Sequence, residues 1–237
     1  MYTFRVIALL LWFAALPAGA GDASNASAVR RALEARYRHA ATLKATFYEQ
    51  YRDGKGGILA ESGTVYFSRP GRMRWEYESP EKKLFLVDGT NVWFYVPADR
   101  TASRAKLKES SDWRTPLALL TGKADLSHLC RKIEAVETKG ATGTSSAANP
   151  TTGNVTLRCS PRVSAADSED LLREVDFETD ADARLVRVLI HEAGNAETEF
   201  RFRNWEENVV LPEAIFHFAP PSGVAIVDEA TLAGAIH

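Results

Sequence analysis

Apolar and polar residues alternate through most of this chain, and the period of the alternation changes once near its start. Val29, Leu33, Tyr37 and Ala40 share one face of a helical pattern, with Arg30, Arg31, Glu34 and Arg38 on the other side. Ser24 or Ser27 can cap this helix, which is expected to end near His39 to Thr42. From there the period drops to two. Leu43, Ala45, Phe47 and Tyr51 alternate with Lys44, Thr46, Tyr48 and Gln50, the mark of a half-buried strand. The glycine-rich run from Asp53 to Gly57 turns the chain into a second strand, Ile58 to Phe67. Arg69-Pro70-Gly71 turns it again, into Met73, Trp75 and Tyr77 alternating with Arg72, Arg74 and Glu76. Lys83–Val87 and Val92–Val96 flank Asp88-Gly89-Thr90-Asn91, a hairpin signal.

Further strands are expected at about Arg100–Leu107, Leu129–Thr138, Asn154–Cys159, Leu171–Thr179, Leu185–His191 and Ala196–Arg203. Ten or eleven short strands with frequent turns read as an antiparallel sandwich or barrel. Two segments break the pattern. Thr115 to Gly122 reads as a short apolar helix, with Pro116 in its first turn and Gly122 just past its end. Gly140 to Gly153 is rich in Gly, Ser, Thr and Ala and reads as a flexible excursion between strands.

Composition sharpens one region. Eight aromatic residues (Tyr66, Phe67, Trp75, Tyr77, Phe85, Trp93, Phe94 and Tyr95) fall within 66–95, with Arg69 in a turn among them. Such strands can form an ordinary core or wall an apolar hold. Two apolar helices in an otherwise β chain could cover the open end of a curved sheet. Arg69, where a strand ends, is placed to bond backbone carbonyls or a ligand headgroup.

The first twenty residues read as a secretory signal. Arg5 precedes an apolar run from Val6 to Leu16, and Ala18-Gly19-Ala20 offers a small-residue cleavage site. That run is shorter than the roughly 20 residues a bilayer span needs. No cysteine follows the cleavage site, so a soluble exported protein is expected, with residues 21–237 as one domain. Without Arg5 the net charge moves from −2 to about −3, which offers no basic footprint for nucleic acid. Cys130 and Cys159 are the two cysteines, and export permits their oxidation. A bridge would close a loop of about 30 residues, worth roughly 3–4 kcal/mol by chain entropy; two buried free thiols are the alternative.

Catalytic signatures are sparse in this chain. There is no Gly-x-Ser-x-Gly elbow. His191-Glu192-Ala193-Gly194-Asn195 lacks the second histidine of a zinc-protease motif. The five histidines are scattered in unlike contexts, and Asp180 and Asp182 suit a turn better than a calcium site. No metal site, cofactor or enzymatic activity is expected.

Four ordered stretches carry a resemblance. These are Gly63-x-Val65-Tyr66-Phe67-x-Arg69-Pro70-x-x-Met73-x-Trp75, Leu86-Val87-Asp88-Gly89-x-x-Val92-Trp93-Phe94-Tyr95-x-Pro97, Thr115 to Leu120, and Phe216-x-Phe218-x-Pro220-Pro221-x-Gly223-Val224. Together they resemble the outer-membrane lipoprotein carrier family, the LolA-type periplasmic chaperones. The resemblance implies a mainly β fold with a few α-helices: an unclosed antiparallel half-barrel of about eleven strands under a helical lid. It implies a periplasmic carrier that takes lipoprotein acyl chains from an ATP-driven inner-membrane release complex to an outer-membrane receptor. Arg69 then matches the arginine that ties lid to barrel, Met73 and Trp75 match cavity-wall positions, and Leu117, Leu119 and Leu120 match the lid. Leu33, Tyr37, Phe47, Phe85, Trp93 and Tyr95 complete the expected apolar lining. The Gly140–Gly153 excursion, the cysteine pair and the tail from Ala230 to His237 depart from the enterobacterial pattern. A related half-barrel serving as a periplasmic lipid or lipoprotein sensor, or as a glycolipid carrier, is the competing reading. A secreted esterase would need a nucleophile with a base in reach, and no motif nominates one.

Overall fold

The computed structural model describes residues 20–107, 118–122, 125–136, 154–162 and 172–228. Leu117 and the 140–153 excursion lie outside them. Twelve strands form one sheet: β1 (Thr42–Arg52), β2 (Ile58–Ser68), β3 (Arg72–Ser79), β4 (Lys83–Val87), β5 (Asn91–Val96), β6 (Thr101–Lys106), β7 (Cys130–Val136), β8 (Val155–Pro161), β9 (Leu172–Thr179), β10 (Leu185–Glu192), β11 (Glu197–Glu207) and β12 (Ala225–Asp228). Among the described residues three α-helices accompany them: α1 (Ala20–Arg38), α2 (Ala118–Thr121) and α3 (Leu126–Leu129).

The strand order is β12-β6-β5-β4-β3-β2-β1-β11-β10-β9-β8-β7. Two meanders, β1–β6 and β7–β11, meet where β1 pairs antiparallel with β11, from Leu43 opposite Glu207 to Arg52 opposite Glu197. The terminal strands β12 and β7 are not neighbours, so the sheet stays open. Gly63 allows a close approach between β2 and β3, since a Cβ there would sit 1.9 Å from the carbonyl oxygen of Glu76.

The twelfth strand is one more than the alternation predicts. β12 runs parallel to β6, and all four of its residues are exposed, so it has no hydrophobic period to betray it. Backbone pairing and an ion pair from Arg104 to Asp228 at 2.7 Å hold it in place.

The inner face of the sheet takes every second residue: Ala45 and Phe47 of β1, Val65 and Phe67 of β2, Met73 and Trp75 of β3, Phe85 and Val87 of β4, Val188 and Ile190 of β10, Phe200 and Phe202 of β11. Leu33 and Tyr37 of α1 and Leu119 and Leu120 of α2 join the same buried cluster. Each Val, Leu, Ile, Phe or Met among them, fully buried, contributes about 1.5–3 kcal/mol. Cys130 and Cys159 are bridged, with Cα atoms 5.5 Å apart, and the bridge ties edge strand β7 to β8.

Helix α1 departs from expectation at its start. It runs through Ser24 and Ser27 and stops at Arg38. Ser27 does not begin the helix; its hydroxyl accepts a hydrogen bond from Arg31 Nη1 at 2.8 Å, one turn on. Glu34, expected on the polar side, is only 6 % exposed. It lies beside Leu33 and three residues before Tyr37, on the flank of the apolar stripe, where the start of α3 reaches it.

Candidate functional site

Eight aromatic rings pack together on the inner face, and one of them, Tyr37, comes from α1. Phe47 meets Trp75 at 4.7 Å and Tyr77 at 5.0 Å between centroids. Trp75 meets Phe200 at 5.3 Å, Phe202 at 6.1 Å and Phe67 at 6.1 Å. Trp205 joins Phe202 at 5.3 Å and Tyr37 at 5.7 Å. Tyr37 spans helix and sheet, because its hydroxyl accepts the backbone N–H of Leu185 at 2.9 Å. Burial pushes the Tyr37 phenol well above its ordinary pKa, so it stays a neutral pin.

Arg69 follows the end of β2. Its Nη2 donates to the carbonyl oxygen of Leu119 at 2.9 Å, and the backbone N–H of Gly71 donates to the carbonyl oxygen of Thr121 at 2.9 Å. Helix α2 is thus held by carbonyls of its last turn, that of Leu119 being shared with the backbone N–H of Gly122 at 3.2 Å. Gly122 closes α2 at φ +71°, and a Cβ there would sit 2.9 Å from Arg69 Nη1. That contact and the positive φ both call for glycine. Burial lowers the Arg69 pKa; Asp125 opposes the shift and Arg38 adds to it.

A second tie comes from α1. Glu34 Oε1 accepts the buried backbone N–H of Leu126 at 3.1 Å, at the start of α3, and pairs with Arg30 Nη1 at 3.4 Å. The sequence pattern did not nominate Glu34. Its only signal is a carboxylate flanking an apolar stripe.

The other end of the inner face is polar. Glu49 and Glu61 stand opposite each other on β1 and β2, as do Tyr77 and Lys83 on β3 and β4. Tyr77 donates its hydroxyl to Glu49 Oε2 at 2.8 Å, and Lys83 Nζ lies 2.5 Å from Glu61 Oε1. The Lys83 ammonium sits 4.9 Å from the centre of the Tyr77 ring. Burial drives the Glu49 carboxyl up to about 8, with the Tyr77 hydrogen bond pulling the other way. Neither glutamate was a sequence-level candidate.

Of the expected lining residues, Leu33, Tyr37, Phe47, Met73, Trp75, Phe85, Leu119 and Leu120 come together in this cluster, and Arg69 sits at its edge. Trp93 and Tyr95 do not. They pack on the outer face with Leu84, Leu86 and Phe216, where Phe218 meets Trp93 at 5.4 Å and Tyr95 at 5.1 Å. The register explains the correction. Leu84 stands opposite Tyr95 and Leu86 opposite Trp93, so these four share one face while Phe85, Phe94, Val87 and Val92 share the other. The segment around Glu213–Phe216 covers that outer face, so β4 and β5 are apolar on both sides and their sequence carries no alternation. Phe200, Phe202 and Trp205 belong to the inner cluster but were not singled out; the spacing of Phe200 and Phe202 on a predicted strand was the available signal.

The outer face of β8–β11 is charged. Arg158 holds Asp176 with two 2.8 Å bonds, which keep that carboxyl down at about 2 against the cost of its burial. His191 lies 3.2 Å from Glu197 and 3.6 Å from Asp176, and the Asp176 carboxylate beside it raises its pKa. Among the described residues no group of His, Cys, Asp or Glu could hold a metal ion, and no helix is long and apolar enough to cross a membrane.

Residues 38–219 match the family model described as outer membrane lipoprotein carrier protein LolA. An outer-membrane lipoprotein carrier protein of Chromobacterium violaceum is 30% identical over 92% of this chain and 96% of its own length. One of Nitrosospira multiformis is 28% identical over 81% of this chain and 84% of its own length. Among solved structures, an uncharacterized conserved protein from Thermus thermophilus shares the fold, with a TM-score of 0.50 at 12% identity, over 86% of this chain and 99% of that one. An open β-sheet with its aromatic face under helices, matched along three quarters of its length by one family model, places this chain in the outer membrane lipoprotein carrier family.

Proposed function

We propose that this protein is a periplasmic carrier that shields the acyl chains of lipoproteins and moves them from the inner to the outer membrane. The observation that carries the reading is the bond from Arg69 to the Leu119 carbonyl, which fastens a short apolar helix over an aromatic interior. Hydrocarbon burial is worth about 0.8 kcal/mol per methylene, so a lipoprotein with two or three chains does not cross water unaided at a useful rate. A carrier must shelter those chains yet hold them less firmly than the destination membrane does.

A lid closed by a few polar bonds meets both demands. Opening breaks the Arg69 bond, a cost of roughly 1.5–3 kcal/mol for a charged donor. Incoming alkyl chains replace Leu119 and Leu120 against the aromatic wall and offset that cost. On release the bond re-forms, which lowers the free energy of the empty carrier and favours handover. Leu33, Tyr37, Phe47, Met73, Trp75 and Phe85 are the wall in this reading. The chain acts as a single carrier domain and a monomer, without cofactor or catalysis. It loads at an ATP-driven release complex of the inner membrane and unloads at an outer-membrane receptor.

The test is a transfer assay. Protein from the periplasmic fraction, mixed with a fluorescent triacylated lipopeptide, is expected to hold it in a soluble one-to-one complex and to release it to outer-membrane vesicles. Failure to keep the lipopeptide in solution would overturn the proposal.

A further inference from the structure

The interior is not uniformly greasy. Trp75, 2 % exposed, lies at the centre of the ring cluster, and its Nε1 has no hydrogen-bond partner among the described residues. Thr198, 1 % exposed, is in the same position with its hydroxyl. Buried donors left unmet are rare in folded proteins, and each calls for a cause. Both face inward. Thr198 stands opposite Tyr51 on β1 and Ile190 on β10, in phase with Phe200, while its neighbour Glu199 points out to Arg187 and Arg201.

The two orphans share a neighbourhood. Phe200 stands opposite Glu49, so Thr198 is the diagonal neighbour of Glu49 on the same face. Phe200 also touches Trp75. Next to these donors lies an acceptor, the Glu49 carboxyl, which already takes the Tyr77 hydroxyl on one oxygen. Phe200 links the three groups, and the Glu49–Glu61 end of the sheet lies away from Arg69. Along β2, Glu61 is eight residues from Arg69, or roughly 27 Å at the rise of an extended strand.

A bare alkyl chain lying here would leave both donors unmet. A hydroxyl on that chain would not: it can accept from Thr198 or Trp75 and donate to Glu49. Resting on the carrier reading, we propose that the interior holds a polar recognition site, Trp75, Thr198 and Glu49, for an acyl chain that bears a hydroxyl group. The cargo, or one of its chains, is then a hydroxyacyl lipid, and the site selects among chains by the position of the oxygen.

The experiment is displacement of a bound naphthalene-sulfonate dye from the full exported protein. Competitors are hexadecanoic acid and a series of hexadecanoic acids hydroxylated at successive carbons. At least one hydroxylated isomer is expected to bind roughly tenfold tighter than the plain chain, the effect of satisfying a buried polar partner. Thr198→Val, which keeps the shape and removes the hydroxyl, is expected to bring that ratio close to one. Trp75→Phe should reduce the ratio as well. Equal displacement by every isomer and the plain chain overturns the recognition site and leaves the carrier reading standing. A ratio unchanged in both variants also overturns it. Displacement by none of the chains overturns both.

Discussion

Glu34 Oε1 accepts the backbone N–H of Leu126 at 3.1 Å, and Arg69 Nη2 donates to the carbonyl of Leu119 at 2.9 Å. An anion on α1 thus takes the start of α3, while a cation after β2 takes the end of α2. The lid segments are fastened on both sides of the chain between them by groups of opposite charge.

Removing Arg69 should uncouple holding from release. In Arg69→Leu the closed, empty state loses its charge-assisted bond, roughly 1.5–3 kcal/mol, while the open, loaded state loses nothing. Cargo is therefore expected to be retained about tenfold or more tightly. Transfer from the loaded variant to acceptor vesicles would be measured against the parent protein; an equal rate would contradict the latch.

Glu34 is expected to act on the lid locally. Glu34→Ala leaves the Leu126 N–H buried without an acceptor and Arg30 without its pair, a loss of about 1–3 kcal/mol. Hydrogen exchange at Leu126 should quicken by one to two orders of magnitude. Exchange at Phe47 and Phe200 in the sheet should stay as in the parent. Uniform acceleration throughout would mean that Glu34 supports the whole fold and not the lid.

The outer apolar cluster supplies a control. Trp93 packs there against Phe218 and is only 7 % exposed, so Trp93→Ala should cost about 3–5 kcal/mol of stability. Dye affinity of the fraction that remains folded should not change, because the residue lies across the sheet from the ring cluster. Phe47→Ala, on the inner face, should change both. Loss of dye binding in folded Trp93→Ala would return that residue to the interior lining.

The contrast between Trp93 and Phe47 also shows what the chain discloses about itself. On β1 one face is buried and the other solvated, so Phe47 alternates with Tyr48 and its direction can be read from the sequence. On β4 and β5 both faces are covered, one by the inner cluster and one by the segment that ends at Phe218. Period two vanishes there, and an aromatic such as Trp93 fits either side. β12 is exposed on all four residues and leaves no pattern either. Arg69 was legible because a charged residue in an aromatic turn needs a partner. Glu34, Glu49 and Thr198 were not: a polar residue on a mostly polar or short segment gives no sign that chains distant in sequence will bury it.

The bridge between Cys130 and Cys159 closes a separation of 29 residues and fixes β7, the sheet's terminal strand, to β8. Replacing both with serine is expected to lower stability by roughly 3–4 kcal/mol. The loss should show as an earlier denaturation midpoint, matched by the parent protein after reduction. A midpoint insensitive to reductant would mean that the bridge is redundant with strand pairing.

The buried carboxyl of Glu49 should tilt stability against alkaline pH. Its pKa is raised from the ordinary 4.5 to about 8 in the folded chain, chiefly by burial. Between those values the unfolded chain has lost the proton and the folded chain has kept it, so stability falls as pH rises. The contribution is full below about pH 4.5, declines through neutrality, and is gone once pH passes 8. Other groups titrate over the same range: His191, raised by Asp176, also loses its contribution as pH rises, while Asp176, held at about 2, matters only in acid. Glu49→Gln removes one group and leaves those in place. The introduced amide can still accept the Tyr77 hydroxyl and never ionises. Denaturation midpoints of parent and variant should therefore coincide near pH 5 and separate as pH rises. The variant should lead by an amount on the order of a few kcal/mol above pH 8. Parallel curves from pH 5 to 9 would show that Glu49 ionises in the folded protein as readily as in the unfolded chain.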